Sequence, residues 1–164
     1  MDISTAIHCL EEASPDPREG LPQELFLFLS SRTPLVNVDL LIQDQDHRTL
    51  LAWRDDFYSG RGWHVPGGIL RSMEPFDRRI RKVAELEIGA RVEYDPKPIS
   101  VREILSPQYK HRNHFISFLY RCHIDRAFIP QNPGLGPGDA GFLAWHAGCP
   151  GNLIECQEIY RDFM

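Results

Sequence analysis

The sequence lacks most of the features that would tie it early to a metal knuckle, a membrane or a nucleic acid. Its cysteines are few and scattered: Cys9, Cys122, Cys149 and Cys156 form no C-x-x-C pair. That argues against a zinc knuckle or a redox motif and for idle thiols in a reducing compartment. Basic residues do not outnumber acidic ones. The 18 Lys and Arg stand against 23 Asp and Glu, a net charge of −5, so neither a nucleic-acid backbone nor an anionic membrane is expected as a partner. No apolar run reaches the roughly 20 residues of a membrane span. Met1-Asp2-Ile3-Ser4 lacks the basic-then-apolar order of a secretory leader, and the expected location is cytoplasmic. Internal repeats and low-complexity stretches are missing too.

What is present is ordinary globular material: 164 residues, 42% hydrophobic and 25% charged, enough for one domain with its own core. Residues 1–20 read as an N-terminal extension, a short helix from Thr5 to Ala13 stopped by Ser14-Pro15-Asp16-Pro17. The domain proper is expected over 21–164. Leu21 to Ser31 suits an amphipathic helix with Pro22 in its first turn. Val36 to Ile42 and Arg48 to Arg54 read as a strand hairpin closed by the polar turn Asp44–His47. Asp55 to Gly62 is expected as a loop, and Trp63 to Pro66 as a short strand. Further extended segments are expected within Val92–Leu105, at His114–Ile124 and at Phe142–His146. Pro130–Gly141 reads as a loop, and a terminal helix is expected over Asn152–Phe163. Strands on both sides of a central helix, closed by another helix, imply a mixed β-sheet sandwiched between α-helices, an α/β architecture.

The most telling segment runs from Trp63 to Gly89. Trp63-His64-Val65-Pro66-Gly67-Gly68 leads into a helix that starts near Pro75 and ends at Gly89. At about 100° per residue, Phe76, Ile80 and Val83 share a narrow wedge, and Glu87 projects from its middle. Glu74, Arg78, Arg81 and Glu85 fall on the opposite side. A carboxylate on an apolar face needs a partner, and a metal ion is one. The double glycine lets backbone approach such an ion or a phosphate closely.

Gly68, Glu74, Lys82, Glu87 and Gly89 together resemble the Nudix box, G-x5-E-x7-R-E-U-x-E-E-x-G-U, with Lys82 in place of its arginine and Val83 and Leu86 where two metal-binding glutamates usually stand. A box without those two is similar to that of the GDP-mannose mannosyl hydrolases. Thr33-Pro34-Leu35-Val36 with Asp39, Leu51-Ala52-Trp53-Arg54, the Trp63–Gly68 lead and the His114-Phe115 strand resemble the same group. The resemblance spans about residues 21–146. It implies the Nudix fold and hydrolysis of a nucleoside-diphosphate sugar, GDP-mannose or a relative, by water attack at the anomeric carbon. The cofactor would be magnesium, with manganese as the other candidate. It further implies that Glu87 and the Gly67 carbonyl bind metal, that Arg54 holds the diphosphate, and that the protein is a homodimer, with the Leu21–Ser31 helix a candidate interface.

Two positions depart from the group. Ile69 stands where it has an arginine, with Arg71 as the nearest substitute, and Asp139-Ala140 stands where it has a Gln-His pair. Asp139, as a metal ligand or water activator, and His114, as a base, are the remaining catalytic candidates, and Asp39 is a candidate catalytic or sugar-contacting residue and equally a candidate structural salt bridge. Glu74 is expected to brace the loop through Lys82. His64 and His146 are expected to be structural, and Arg78, Arg79, Arg81 and Lys82 to form a solvated helix face. The alternatives are attack at phosphorus by a pyrophosphohydrolase and a silent nucleotide-sugar-binding module.

Overall fold

The structure, a computed structural model, describes residues 2–164. Helix α1 (Ile3–Ala13) is capped by Asp2, whose side chain accepts from the Thr5 N–H at 2.8 Å, and it buries no residue. Helix α2 (Gln23–Ser30) starts directly after Pro22. Eight strands then form one mixed sheet: β1 (Leu35–Gln43), β2 (Thr49–Asp56), β3 (Gly60–His64), β4 (Gly67–Ile69), β5 (Glu93–Tyr94), β6 (Ser100–Leu105), β7 (His114–His123) and β8 (Leu143–His146).

β1 is the central strand, running parallel to β7 from Leu35↔Phe115 to Gln43↔His123. Its hydrophobic run is nearly continuous because both faces are covered. Val38, Leu40 and Ile42 face one core with Ile80, Val83, Ala84 and Ile88. Leu41 faces the other, with Leu51, Val65, Leu119 and Tyr160. The side-chain period of two therefore places Asn37 and Asp39 on the Leu41 face. Helices cover both sides, so the layered α/β architecture is the one expected.

The expected hairpin is only a hinge. β1 and β2 pair through Gln43↔Thr49 and then part. β1 takes β4 as its neighbour, through Asn37↔Ile69, Val38↔Gly68 and Asp39↔Gly67, while β2 takes β3 and β8. The sheet forks, and residues from both arms line one cleft. The loop expected at Asp55–Gly62 is mostly paired strand, with Asp56↔Gly60 next to the turn. Asp56 Oδ1 closes that turn by accepting from the Tyr58 and Ser59 N–H groups at 2.9 and 2.8 Å. Such side-chain to backbone bonds make a tight turn from residues whose composition reads as loop.

The central helix also differs from a uniform wheel. An α-helical part, α3 (Phe76–Val83), widens into a π-helical turn, Ala84–Ile88, and stops at Gly89 with φ 70°. The wider turn shifts the phase of the face: Ala84 and Ile88 are buried, and Glu87 lies at the border rather than in the middle. Glu74 is not on the solvated side. It is almost buried and accepts from Arg79 Nε and Nη2 at 2.8 and 2.6 Å and from the Arg71 N–H at 3.0 Å. The brace is thus Arg79 and not Lys82, which pairs with Glu85 at 3.7 Å. Arg79 correspondingly leaves the solvated basic face. The terminal helix is a 3-10 helix, Glu155–Phe163.

Candidate functional site

The cleft at the fork is lined by β1 (Asn37, Asp39), β2 (Arg54), the β2–β3 turn (Tyr58), β3 (His64), β4 (Gly67, Gly68, Ile69), the turn before β7 (Arg112), β7 itself (Phe115) and the 3-10 helix (Cys156, Gln157). Its empty space, open mouth included, is about 830 Å3.

Its floor is built tightly. A Cβ on Gly67 would stand 2.1 Å from Asp39 Oδ1, and one on Gly68 would stand 2.9 Å from Val83 Cγ2. The first glycine is therefore demanded by Asp39 across the β1–β4 ladder, and the second by the helix. The 3-10 helix clamps the strand just upstream, where Gln157 Oε1 accepts from the Val65 N–H at 2.6 Å.

Asp39 forms neither a salt bridge nor a lone charge. Its Oδ2 accepts from Tyr160 at 2.7 Å and from the Ser117 hydroxyl, and its Oδ1 accepts from Asn37 Nδ2 at 2.8 Å. Burial pushes its carboxyl above the usual range despite these donors. Glu87 retains 29% side-chain exposure. Burial nevertheless pushes its pKa up to about 7, with Arg54 and the Gly67 N–H pulling the other way. His64 is buried. Its Nδ1 lies 2.7 Å from the Ala52 carbonyl, its Nε2 has no hydrogen-bond partner, and that Nε2 lies 3.9 Å from Glu87 Oε2. Burial, then the charge of Arg54, push the imidazole down to about 4.

Two guanidinium groups reach the same cleft. Arg54, at the outer end of β2, has Asp56 at 3.5 Å. Arg112 sits in the left-handed region at φ 53°, a conformation a long side chain adopts only when held there. α2 holds it: the Arg112 N–H donates to Ser30 Oγ at 3.1 Å, and His111 Nδ1 donates to the Leu27 carbonyl at 2.8 Å. The Arg112 guanidinium lies over the Tyr58 ring at 5.3 Å with its Nε unpartnered. Burial, then the nearby Arg54, lower its pKa.

Arg54, Asp39, Gly67 and Gly68 therefore line the cleft, and Glu87 flanks its floor through His64 and Gly67. The other candidates lie apart. Asp139 is exposed and closes its own turn by accepting from the Gly136 N–H at 2.7 Å. His114 faces Glu103 across the β6–β7 ladder at 3.1 Å. Arg71 packs at Gly20. None of the three lines the cleft. Glu74, Lys82 and Gly89 are parts of the helix frame. Arg112 is the residue sequence reasoning passed over; its one signal was the basic turn His111-Arg112-Asn113.

No protein-family model matches the sequence, and no curated protein matches it significantly. Solved structures do match. A MutT NUDIX hydrolase from Burkholderia pseudomallei aligns at a TM-score of 0.63 and 22% identity, over 80% of this chain and 98% of that one. The chain has the Nudix hydrolase fold. A NUDIX hydrolase from Nitrosomonas europaea aligns at a TM-score of 0.51 and 17% identity, over 70% of this chain and 72% of the other. A UDP-X diphosphatase aligns at 0.56 and 16% identity, over 99% and 67%. Likeness at such identities fixes the Nudix architecture and leaves the chemistry to the cleft.

Proposed function

We propose that the chain is a divalent-metal-dependent Nudix hydrolase acting on a nucleoside-diphosphate sugar, GDP-mannose or a close relative. The observation that carries this reading is the convergence of Arg54 and Arg112 on a cleft whose floor is Gly67, beside Glu87. A diphosphate is the ligand that two converging guanidinium groups match, since each fork binds phosphate oxygens in plane. Arg112 supplies the charge that Ile69 cannot.

The donors at the floor fit a divalent ion: a carboxylate, a glycine backbone and an orphaned buried nitrogen in a polar cleft. Glu87 and the Gly67 carbonyl would hold magnesium or manganese, and the ion would neutralise charge on the leaving diphosphate. The other steps fall to the chain. Arg54 and Arg112 orient the diphosphate. Asp39 Oδ1, which accepts from Asn37, keeps a lone pair for a sugar hydroxyl or for the proton of the attacking water. The water oxygen bonds to the anomeric carbon, the carbon–oxygen bond to the diphosphate breaks, and sugar and nucleoside diphosphate leave.

Attack at phosphorus is the second reading, favoured by the overall likeness to a UDP-X diphosphatase. A nucleotide-sugar panel with magnesium or manganese, run in water of heavy oxygen and resolved by phosphorus NMR and by mass spectrometry of the released sugar, separates the two. Label in free sugar supports the first reading, and label in phosphate supports the second. No product with any metal, together with a raised melting temperature on adding ligand, identifies a silent binding module. Turnover unaffected by Glu87→Gln removes the metal assignment.

A further inference from the structure

His64 has a geometry that a merely structural histidine does not need. A carbonyl cannot donate, so the 2.7 Å contact with the Ala52 oxygen puts the ring proton on Nδ1. Nε2 is then a bare lone pair. It is buried, has no hydrogen-bond partner, and belongs to a side chain that lines the cleft. Leaving such an acceptor empty in the interior is costly. The ladder pair Ala52↔His64 between β2 and β3 holds the ring, so the lone pair is held in place rather than free to turn away. An imidazole with its other N–H donated to a backbone carbonyl is the arrangement by which proteins orient a metal-binding histidine. The nearest anionic donor is Glu87 Oε2, at 3.9 Å. Two donors that each approach one ion to about 2.1 Å stand at most ~4.2 Å apart, so a small turn of the partly exposed Glu87 side chain brings both to the same ion.

We propose that His64 Nε2 is a metal ligand and that, with Glu87, it makes a mixed nitrogen–oxygen site that favours manganese or cobalt over magnesium. Magnesium takes oxygen donors, whereas imidazole suits the first-row transition ions. The proposal rests on Glu87 holding the metal, and the test separates the two claims.

Full-length protein is titrated with magnesium, manganese and cobalt by calorimetry, as wild type, His64→Phe and Glu87→Gln. Wild type is expected to bind cobalt and manganese at least about tenfold more tightly than magnesium. His64→Phe is expected to lose most of that preference while magnesium affinity stays within roughly threefold, because magnesium draws little from a nitrogen donor. Equal preference in His64→Phe and wild type overturns the His64 assignment and leaves Glu87 untouched. Metal binding retained in Glu87→Gln overturns the underlying site. A readout on wild type alone guards against a variant that fails to fold: electron spin-echo modulation of bound manganese shows coupling to a ligating ring nitrogen. Its absence refutes the proposal.

Discussion

At the scale of single residues, the cleft depends on groups whose surroundings change their chemistry. Arg112 lies over Tyr58 with an unpartnered Nε. Arg112→Ala is expected to raise KM for the nucleotide sugar about tenfold or more, since a hydrogen bond to a charged group contributes about 1.5–3 kcal/mol. Arg112→Lys is expected to recover only part of this, because a point charge lacks the fork. Steady-state kinetics beside an unchanged circular dichroism spectrum checks both. His64 sets a pH dependence in the metal-free protein. Its folded value of about 4 lies below the ordinary 6.5, so the unfolded chain takes up a proton that the native ring refuses. Stability from this group is present above pH 6.5 and is lost as pH falls towards 4. The full effect is about 3 kcal/mol. Urea titrations in chelator are expected to show that acid-side loss in wild type and a shallower one in His64→Gln. The sequence marked Glu87 and Gly67 through spacing and left His64 as a structural residue, because a lone histidine in a strand carries no sign of what its second nitrogen faces.

At the scale of elements, the loop between β4 and α3 is fixed by a nearly buried ion pair. Glu74 takes both Arg79 nitrogens and the Arg71 N–H, and Arg78 approaches it at 4.0 Å. Burial pushes the Glu74 carboxyl up, but the Arg71 N–H and then the Arg79 guanidinium outweigh it and hold the carboxyl below its usual range. Removing one partner strands the other, so Glu74→Ala is expected to cost about 3 kcal/mol. Equilibrium unfolding in urea measures it. Spacing in the chain pointed to Lys82 as the brace. The structure uses Arg79, whose two guanidinium nitrogens both reach the Glu74 carboxylate. The π-helical turn was equally illegible. It depends on how Ala84 and Ile88 fill the core, whereas periodicity alone assumes a constant 3.6 residues per turn.

At the scale of the molecule, the surface of the N-terminal helices is apolar in places. Ile3 is 79% exposed and Phe28, on α2, 50%. We propose that a dimer through α2 covers this surface, and α2 also anchors Arg112. Light scattering is expected to return twice 18.9 kDa, with Phe28→Ser shifting the mass towards one chain. A single-chain mass for the wild type removes the dimer. Among the described residues, no helix is long and apolar enough to cross a membrane.

The chain by itself determined the layered architecture, the central helix stopped at Gly89 and the glycine floor, because these follow from local period, turn residues and the need to bury apolar faces. Only the tertiary structure decided which polar groups meet. Arg54 and Arg112 lie far apart in sequence, Asp39 finds Ser117 and Tyr160 across the sheet, and His64 turns one nitrogen to Ala52 and the other towards Glu87. Those contacts arise where β1 and β2 part after a single pair. A fork of that kind is set by packing among distant segments, and no local pattern encodes it.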